Sequence, residues 1–199
     1  MTAHFLDPLS GDYSYIPGCE AYFTLTGETA PINLGYIDAA ELEIAVEEAE
    51  KKGLVNGVRT TIRKDVTQTS ANIKLTLASM TDFNRGLSLM STAETQGADE
   101  TFTLGDKVIQ LKAGGHKSGI ANNTSIRGQL TLLGVNKVGD KPIVVLWDVE
   151  LRPGAARSLT GEDFGSVEVS GTAYPVSGKA AGYELGMEGT HTGVITDAP

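Results

Sequence analysis

Apolar residues recur at every second position in short segments along this chain, separated by clusters of Gly, Asn and Asp. That spacing restricts the fold more than any other feature. Period two is the repeat of a strand with one covered face, whereas a helix needs apolar partners three and four apart. The segments are "CEAYFTLTG" (19–27), "ELEIAVE" (41–47), "NIKLTLAS" (72–79), "ETFTLG" (100–105), "KVIQLKA" (107–113), "IRGQLTLLG" (126–134), "PIVVLWDVEL" (142–151) and "GSVEVSGTAY" (165–174). Gly105–Asp106 reads as a tight hairpin turn and "NKVGDK" (136–141) as a second turn. "VVLW" is continuously apolar, which places its strand centrally with both faces covered. The expected class is mainly β.

The stretch "AAELEIAVEEAEKKGLVNGVRTT" (39–61) has the composition of a helix, yet Leu42, Ile44 and Val46 stand two apart. The spacing predicts a strand over 41–47 with one buried face, followed by a charged, Gly-bearing loop over about 47–69. One segment has helical spacing instead. "SMTDFNRGLSLMS" places Phe83, Leu87 and Met90 on one side, with Thr81 or Ser79 as N-cap, and predicts a helix over about 80–91. Gly86 costs that helix about 1 kcal/mol relative to Ala, so tertiary packing must hold it. Residues 1–18, 47–69, 114–125, 152–164 and the C-terminal tail are expected to lack regular structure. The chain divides into an N-terminal arm (1–18), a single β domain (19–179) and a tail (180–199).

At 199 residues the chain can bury about 70% of its unfolded surface without a metal or disulfide. Its one cysteine, Cys19, has no intramolecular partner and reads as a small apolar residue. The first 50 residues carry no Lys or Arg, so a secretory n-region is not expected, and no apolar run reaches the roughly 20 residues of a membrane-spanning helix. Charge is unevenly placed. Residues 1–50 hold ten acids and no base, whereas 51–64 hold Lys51, Lys52, Arg59, Arg63 and Lys64 and no acid. A net charge of −9 does not suit a surface for gripping phosphate. Adjacent blocks of opposite sign fit complementary surfaces on copies of one molecule.

Catalytic and metal patterns are missing from the sequence. His4, His116 and His191 have no Cys or carboxylate at ligand spacing on a regular element. There is no G-x-S-x-G elbow. "AYPVSGKA" (173–180) ends in Ala180 where a phosphate loop needs a hydroxyl, and "GGHKSG" (114–119) lacks dinucleotide-loop spacing. The expectation is a non-enzymatic protein with no cofactor, no metal and no catalytic residue.

The order of elements resembles the tail tube (major tail) proteins of long non-contractile-tailed bacteriophages. Three features carry the resemblance, covering roughly 19–175. One is a Gly35-containing turn into an acidic alternating strand and long loop. Another is the alternating strand running into a helix at "LTLASMTDFNRGLSLM". The third is the late run around Pro153, Gly154, Leu159, Asp163 and Gly171. The resemblance implies a β-sandwich or partly closed barrel with one flanking helix. It implies a subunit that forms hexameric rings stacked into a tube, meeting other tail proteins at the tube ends. DNA passes through the lumen without specific binding, and this subunit touches no membrane. The location implied is the virion tail, with assembly in the host cytoplasm. The 47–69 loop would then be an inter-ring assembly loop, with Lys51, Lys52, Leu54, Val55, Arg59, Arg63 and Lys64 as contact residues. Two other readings share these features: a non-enzymatic β-sandwich binding module, and a related secretion or injection tube subunit.

Overall fold

The structure is a computed structural model and describes residues 19–56, 58–91, 93–134, 141–157 and 165–191 (backbone only at 55, 93–95 and 191). It is mainly β with one helix. In chain order come β1 (Cys19–Leu25), β2 (Ile32–Val55), β3 (Val58–Leu77), α1 (Asp82–Ser88), β4 (Ala93–Thr95), β5 (Glu100–Leu104) and β6 (Lys107–Leu111). Then follow β7 (His116–Ser118), β8 (Ile126–Gly134), β9 (Lys141–Pro153), β10 (Val167–Ala173) and β11 (Gly186–His191). Seven strands form one antiparallel sheet in the order β10-β3-β2-β1-β8-β9-β11. β9 is long enough to pair with β11 through residues 141–146 and with β10 through 149–153. The sheet is therefore partly ringed without being a barrel. β4 pairs with β7, and β5 with β6, in separate two-stranded sheets.

Alternation explains the core. Along β10 and the first half of β8 every second residue is buried, and Phe23, Leu34, Ile73, Leu75, Leu77, Leu130, Val149 and Leu151 meet inside the curved sheet. The "VVLW" strand is central as expected, and Val144, Val145 and Leu146 are all buried. Trp147 is only half-buried: its Nε1 donates to the Tyr183 carbonyl and Lys179 Nζ lies 3.6 Å over its ring.

The helix is shorter than 80–91. It begins at Asp82 with Thr81 as N-cap, whose hydroxyl accepts from the Asn84 amide, and it stops at Ser88. Met90 adopts a positive φ of 50° and lies outside the helix face assigned to it from spacing. Leu87 is fully buried and Phe83 packs on Phe23 with ring centroids 6.0 Å apart. Between them Asn84 is fully buried, and its Nδ2 donates to the carbonyls of Leu34 and Ser79, 2.7 Å each. One side chain thus satisfies backbone groups of β2 and of the β3–α1 connection, which apolar packing would leave orphaned.

Several expectations need correction. The stretch 47–69 is not a loop but the outer half of the β2–β3 hairpin. Gly35 does not sit in a turn before the acidic strand; it lies within β2 at φ 80°, where a Cβ would come 2.5 Å from Ser79 Cβ. That close approach lets Ser79 Oγ accept from the Tyr36 amide. The expected irregular stretch 114–125 contains β7, and the expected tail contributes β11 to the main sheet. Residues 1–18, most of the "NKVGDK" turn, Leu159, Asp163 and 192–199 lie outside the described residues.

Replacing Asn84 with Ala should lower the stability of the folded chain by about 1–3 kcal/mol, because two buried carbonyls lose their donor. Equilibrium urea unfolding measures this as a lower midpoint at unchanged slope.

Candidate assembly surface

β2 and β3 outrun their neighbours. β1 pairs with β2 only over 32–36, and β10 with β3 only over 71–77. From Val46↔Thr69 to Val55↔Val58 the two strands continue alone, a ribbon about 30 Å long at the usual strand rise. Among the described residues neither of its edges has a pairing strand, so both carry unpaired backbone groups. At its end Val55 opposes Val58, and Asn56 takes a positive φ of 52°. Asn-Gly between two strands is the preferred sequence for a two-residue hairpin turn.

Directly opposed residues share a face, so the register sorts the side chains. Leu42, Ile44 and Val46 oppose Ile73, Ala71 and Thr69 and extend the core face outward. The alternation read from sequence is present, but the face is not buried: Ile44 is 56% exposed and Val46 51%. Among the described residues none covers them. The opposite face begins with Glu41, Glu43 and Glu47, across from Lys74, Asn72 and Gln68. Register shifts at Glu47/Glu48 and Lys51/Lys52 leave Thr67 and Ile62 unopposed. They account for the lost alternation over 47–69, since a bulge adds a residue to one strand.

Residues 51–64 also separate into pairs. Lys64 Nζ lies 3.1 Å from both a Glu48 and a Glu50 oxygen, and Lys52 lies 3.8 Å from Glu50. Arg63 turns to Asp65 at 2.7 Å. The Lys64 hydrogen bond and charge hold the Glu50 carboxyl below its ordinary value, and Glu50 and Glu48 raise the Lys64 ammonium. These groups are solvent-exposed, so the pairs orient side chains more than they stabilise. The basic run therefore meets acids of its own ribbon first. Lys51 opposes Arg63, an unfavourable like-charge pair, and neither Lys51 nor Arg59 has an ion partner among the described residues. Leu54 opposes Arg59 and is 76% exposed; Val55 stands at the turn, opposite Val58. The ribbon thus brings all seven expected contact residues together. Sequence reading missed that they lie on strands, although Asn56–Gly57 marked the turn.

Two other polar clusters are built on the body. Arg127 pairs with Asp148 and lies 4.6 Å over the Tyr174 ring, while Glu150 accepts from Arg152 at 2.7 Å and from Tyr174 Oη at 2.9 Å. The hydrogen bond from Arg152, then that from Tyr174, hold the Glu150 carboxyl below its ordinary value. Its charges neutralise one another in place.

His116 forms a second cluster: its Nδ1 lies 3.1 Å from Asp82 Oδ1 and its Nε2 2.9 Å from Ser118 Oγ. The carboxylate contact is not aligned as a hydrogen bond, so the ring is held by Ser118 on its Nε2 side. Ser118 follows His116 by two residues on the three-residue β7, so they are neighbours on one strand face. The cluster ties β7 to the start of α1.

Among the described residues no group of three or more His, Cys, Asp or Glu could hold a metal ion. His4 lies outside the described residues. Cys19 is half-buried, and burial raises its thiol pKa, which keeps it protonated. No helix among the described residues is long and apolar enough to cross a membrane. No protein-family model matches the chain, and a search of curated proteins finds no significant match.

Glu50 should titrate below the ordinary carboxylate range when side-chain carboxyl signals are followed by NMR. A depressed folded value means that the Lys64 contact supports the ribbon above the ordinary carboxylate range and is lost as pH falls through the lowered value. Replacing Lys64 with Met should abolish the depression.

Proposed function

We propose that this chain is a structural subunit that assembles with copies of itself into a tube, of the phage tail-tube kind that its order of elements resembles. One observation carries the reading: the free β2–β3 ribbon, with unpaired edges and exposed apolar residues on both faces. An isolated two-stranded hairpin is marginally stable in water at best, and long exposed edges invite pairing with another chain. Contact with another copy supplies cover and edge partners.

Charge supports a second copy as that partner. Glu41, Glu43 and Glu47 occupy the root of one ribbon face, and Lys51 and Arg63 the outer part of that face. A neighbour displaced along the ribbon direction brings basic ends onto acidic roots, whereas copies at equal height oppose like charges. Such rim pairs contribute about 0–1 kcal/mol each and mainly set register. Leu54 and the apolar row supply burial, worth about 1.5–3 kcal/mol for a fully covered side chain. The net charge of −9 suits a wall past which DNA slides, since like charge repels phosphate. In this reading the subunit works in the virion tail as stacked hexameric rings.

Ala49 and Asp65 are opposed in the register, so residues 50–64 can be replaced by Asn-Gly to close a shorter hairpin at that level. The shortened protein should remain a folded monomer by circular dichroism and sedimentation. Concentrated wild-type protein should form rings or tubes of uniform width in negative stain, and the shortened protein should not. Long tubes from the shortened protein would refute the role given to the ribbon. Duplex DNA mixed with wild-type tubes should elute free at moderate ionic strength; retention would contradict a non-binding lumen.

A further inference from the structure

The β5–β6 hairpin (100–111) presents a second apolar surface that no described residue covers. β5 and β6 pack substantially only on each other. In their register Glu100 opposes Leu111, Phe102 opposes Ile109 and Leu104 opposes Lys107, so these six residues share one face. Phe102 is 52% exposed and Leu104 66%. The root of the hairpin is fixed: Asp99 accepts from the Ala113 amide at 2.8 Å and pairs with Lys112, and Glu100 pairs with Lys117. Its far end carries Asp106 and Lys107, neither with an ion partner among the described residues.

We propose that this face of one copy docks on the apolar row Leu42, Ile44 and Val46 of a neighbouring copy. The proposal rests on the self-assembly reading above and names the surface that covers the root of the ribbon. Length and charge both fit. The apolar part of the hairpin face runs from the level of Leu111 to that of Leu104, about 13 Å, and Leu42 to Val46 spans about the same at the strand rise. With the free ends of hairpin and ribbon pointing the same way, Leu111 lies over Leu42, Ile109 and Phe102 over Ile44, and Leu104 over Val46. Lys107, opposite Leu104, then lies level with Val46, and Asp106 passes beyond the apolar row towards Glu48, Glu50, Lys52 and Lys64, where charges of both signs alternate. The reverse orientation keeps Phe102 and Ile109 over Ile44 but sets the charged end over the Ala40–Leu42 root, away from the ribbon's charged residues. Most of the exposed large apolar side chains lie on the ribbon and this hairpin, so each copy offers one of each surface. A contact between two different patches of identical chains is heterologous, and such contacts propagate into rings or open-ended assemblies.

Disulfide trapping tests the contact. Chains carrying Ile44→Cys are mixed with chains carrying Ile109→Cys, concentrated to the point where wild-type tubes form, and oxidised. A cross-linked dimer on a non-reducing gel is expected from this mixture. None is expected from Ile44→Cys mixed with Thr103→Cys, whose position lies on the other hairpin face, or from either single variant with the native Cys19. Assemblies that link 44 to 103 and not to 109 overturn the docking geometry and leave the tube reading standing. If wild-type protein forms no assembly at any concentration, both fall. If the cysteine chains fail to assemble while wild type does, Phe102→Ser combined with Leu104→Ser decides. That variant should stay folded and monomeric where wild type forms tubes, and tubes of normal width from it overturn the proposal.

Discussion

The pairing of β2 with β3 is the interaction on which the rest of this structure depends. It begins inside the sheet, where Ile37 opposes Leu77 and Leu42 opposes Ile73, and continues unbroken in direction to Val55 and Val58. Side chains from the first third of this ladder enter the core, because β1 and β10 flank it there and Phe23, Leu75 and Val169 close over it. The outer two thirds have the same backbone geometry without the flanking strands. A register slip of one residue would move the core set of β3 to the outside. The buried inner rungs therefore fix which face of the ribbon bears Leu42, Ile44 and Val46.

Asn84 has a comparable role at the other end of β3. The chain leaves β3 at Leu77, and within a few residues it must begin a helix and place Leu87 against the sheet. Gly35 makes room for Ser79, Ser79 caps the Tyr36 amide, and Asn84 donates to both Leu34 and Ser79. Helix position is thereby set by hydrogen bonds to the same strand that carries the ribbon, while a seven-residue helix containing Gly86 contributes little order of its own.

The sequence reveals the body strands well and the ribbon poorly, for physical reasons. In β10 and the first half of β8 each alternate residue has a covered and an open side, so burial writes a period-two pattern directly. Residues 58–69 are exposed on both faces, so no burial constrains their hydrophobicity, and two bulges interrupt what alternation remains. Their strand character survives in β-branched Thr60, Thr61, Ile62, Val66, Thr67 and Thr69 and in the Asn56–Gly57 turn. The grouping of Lys51, Lys52, Arg59, Arg63 and Lys64 was visible as a charge block, but their partners were not. Glu48 and Glu50 become neighbours of Lys64 only through the cross-strand register, whereas Asp65 meets Arg63 two residues away on the same strand. β7 and β11 are short or Gly-rich and owe their strand form to partners elsewhere in the chain.

The same ribbon that would drive self-association also carries the devices that restrain it. Charged residues line it densely, and bulges at two levels increase its twist, both of which weaken indiscriminate edge pairing. An edge strand fully guarded in this way would be expected to lack large apolar residues, yet Leu42, Ile44, Val46, Leu54, Val58, Ile62 and Val66 stay in the open. The two properties are compatible when the intended partner matches both the apolar row and the charge order along it, since a mismatched chain would bury charges without partners. A copy of this chain meets that requirement by symmetry of sequence: it carries the acidic root, the basic end and a hairpin whose apolar face has the same length as the row. In the proposed assembly charge would exclude wrong registers and apolar contact would supply the affinity, so selectivity and association strength would reside in different side chains of one two-stranded arm.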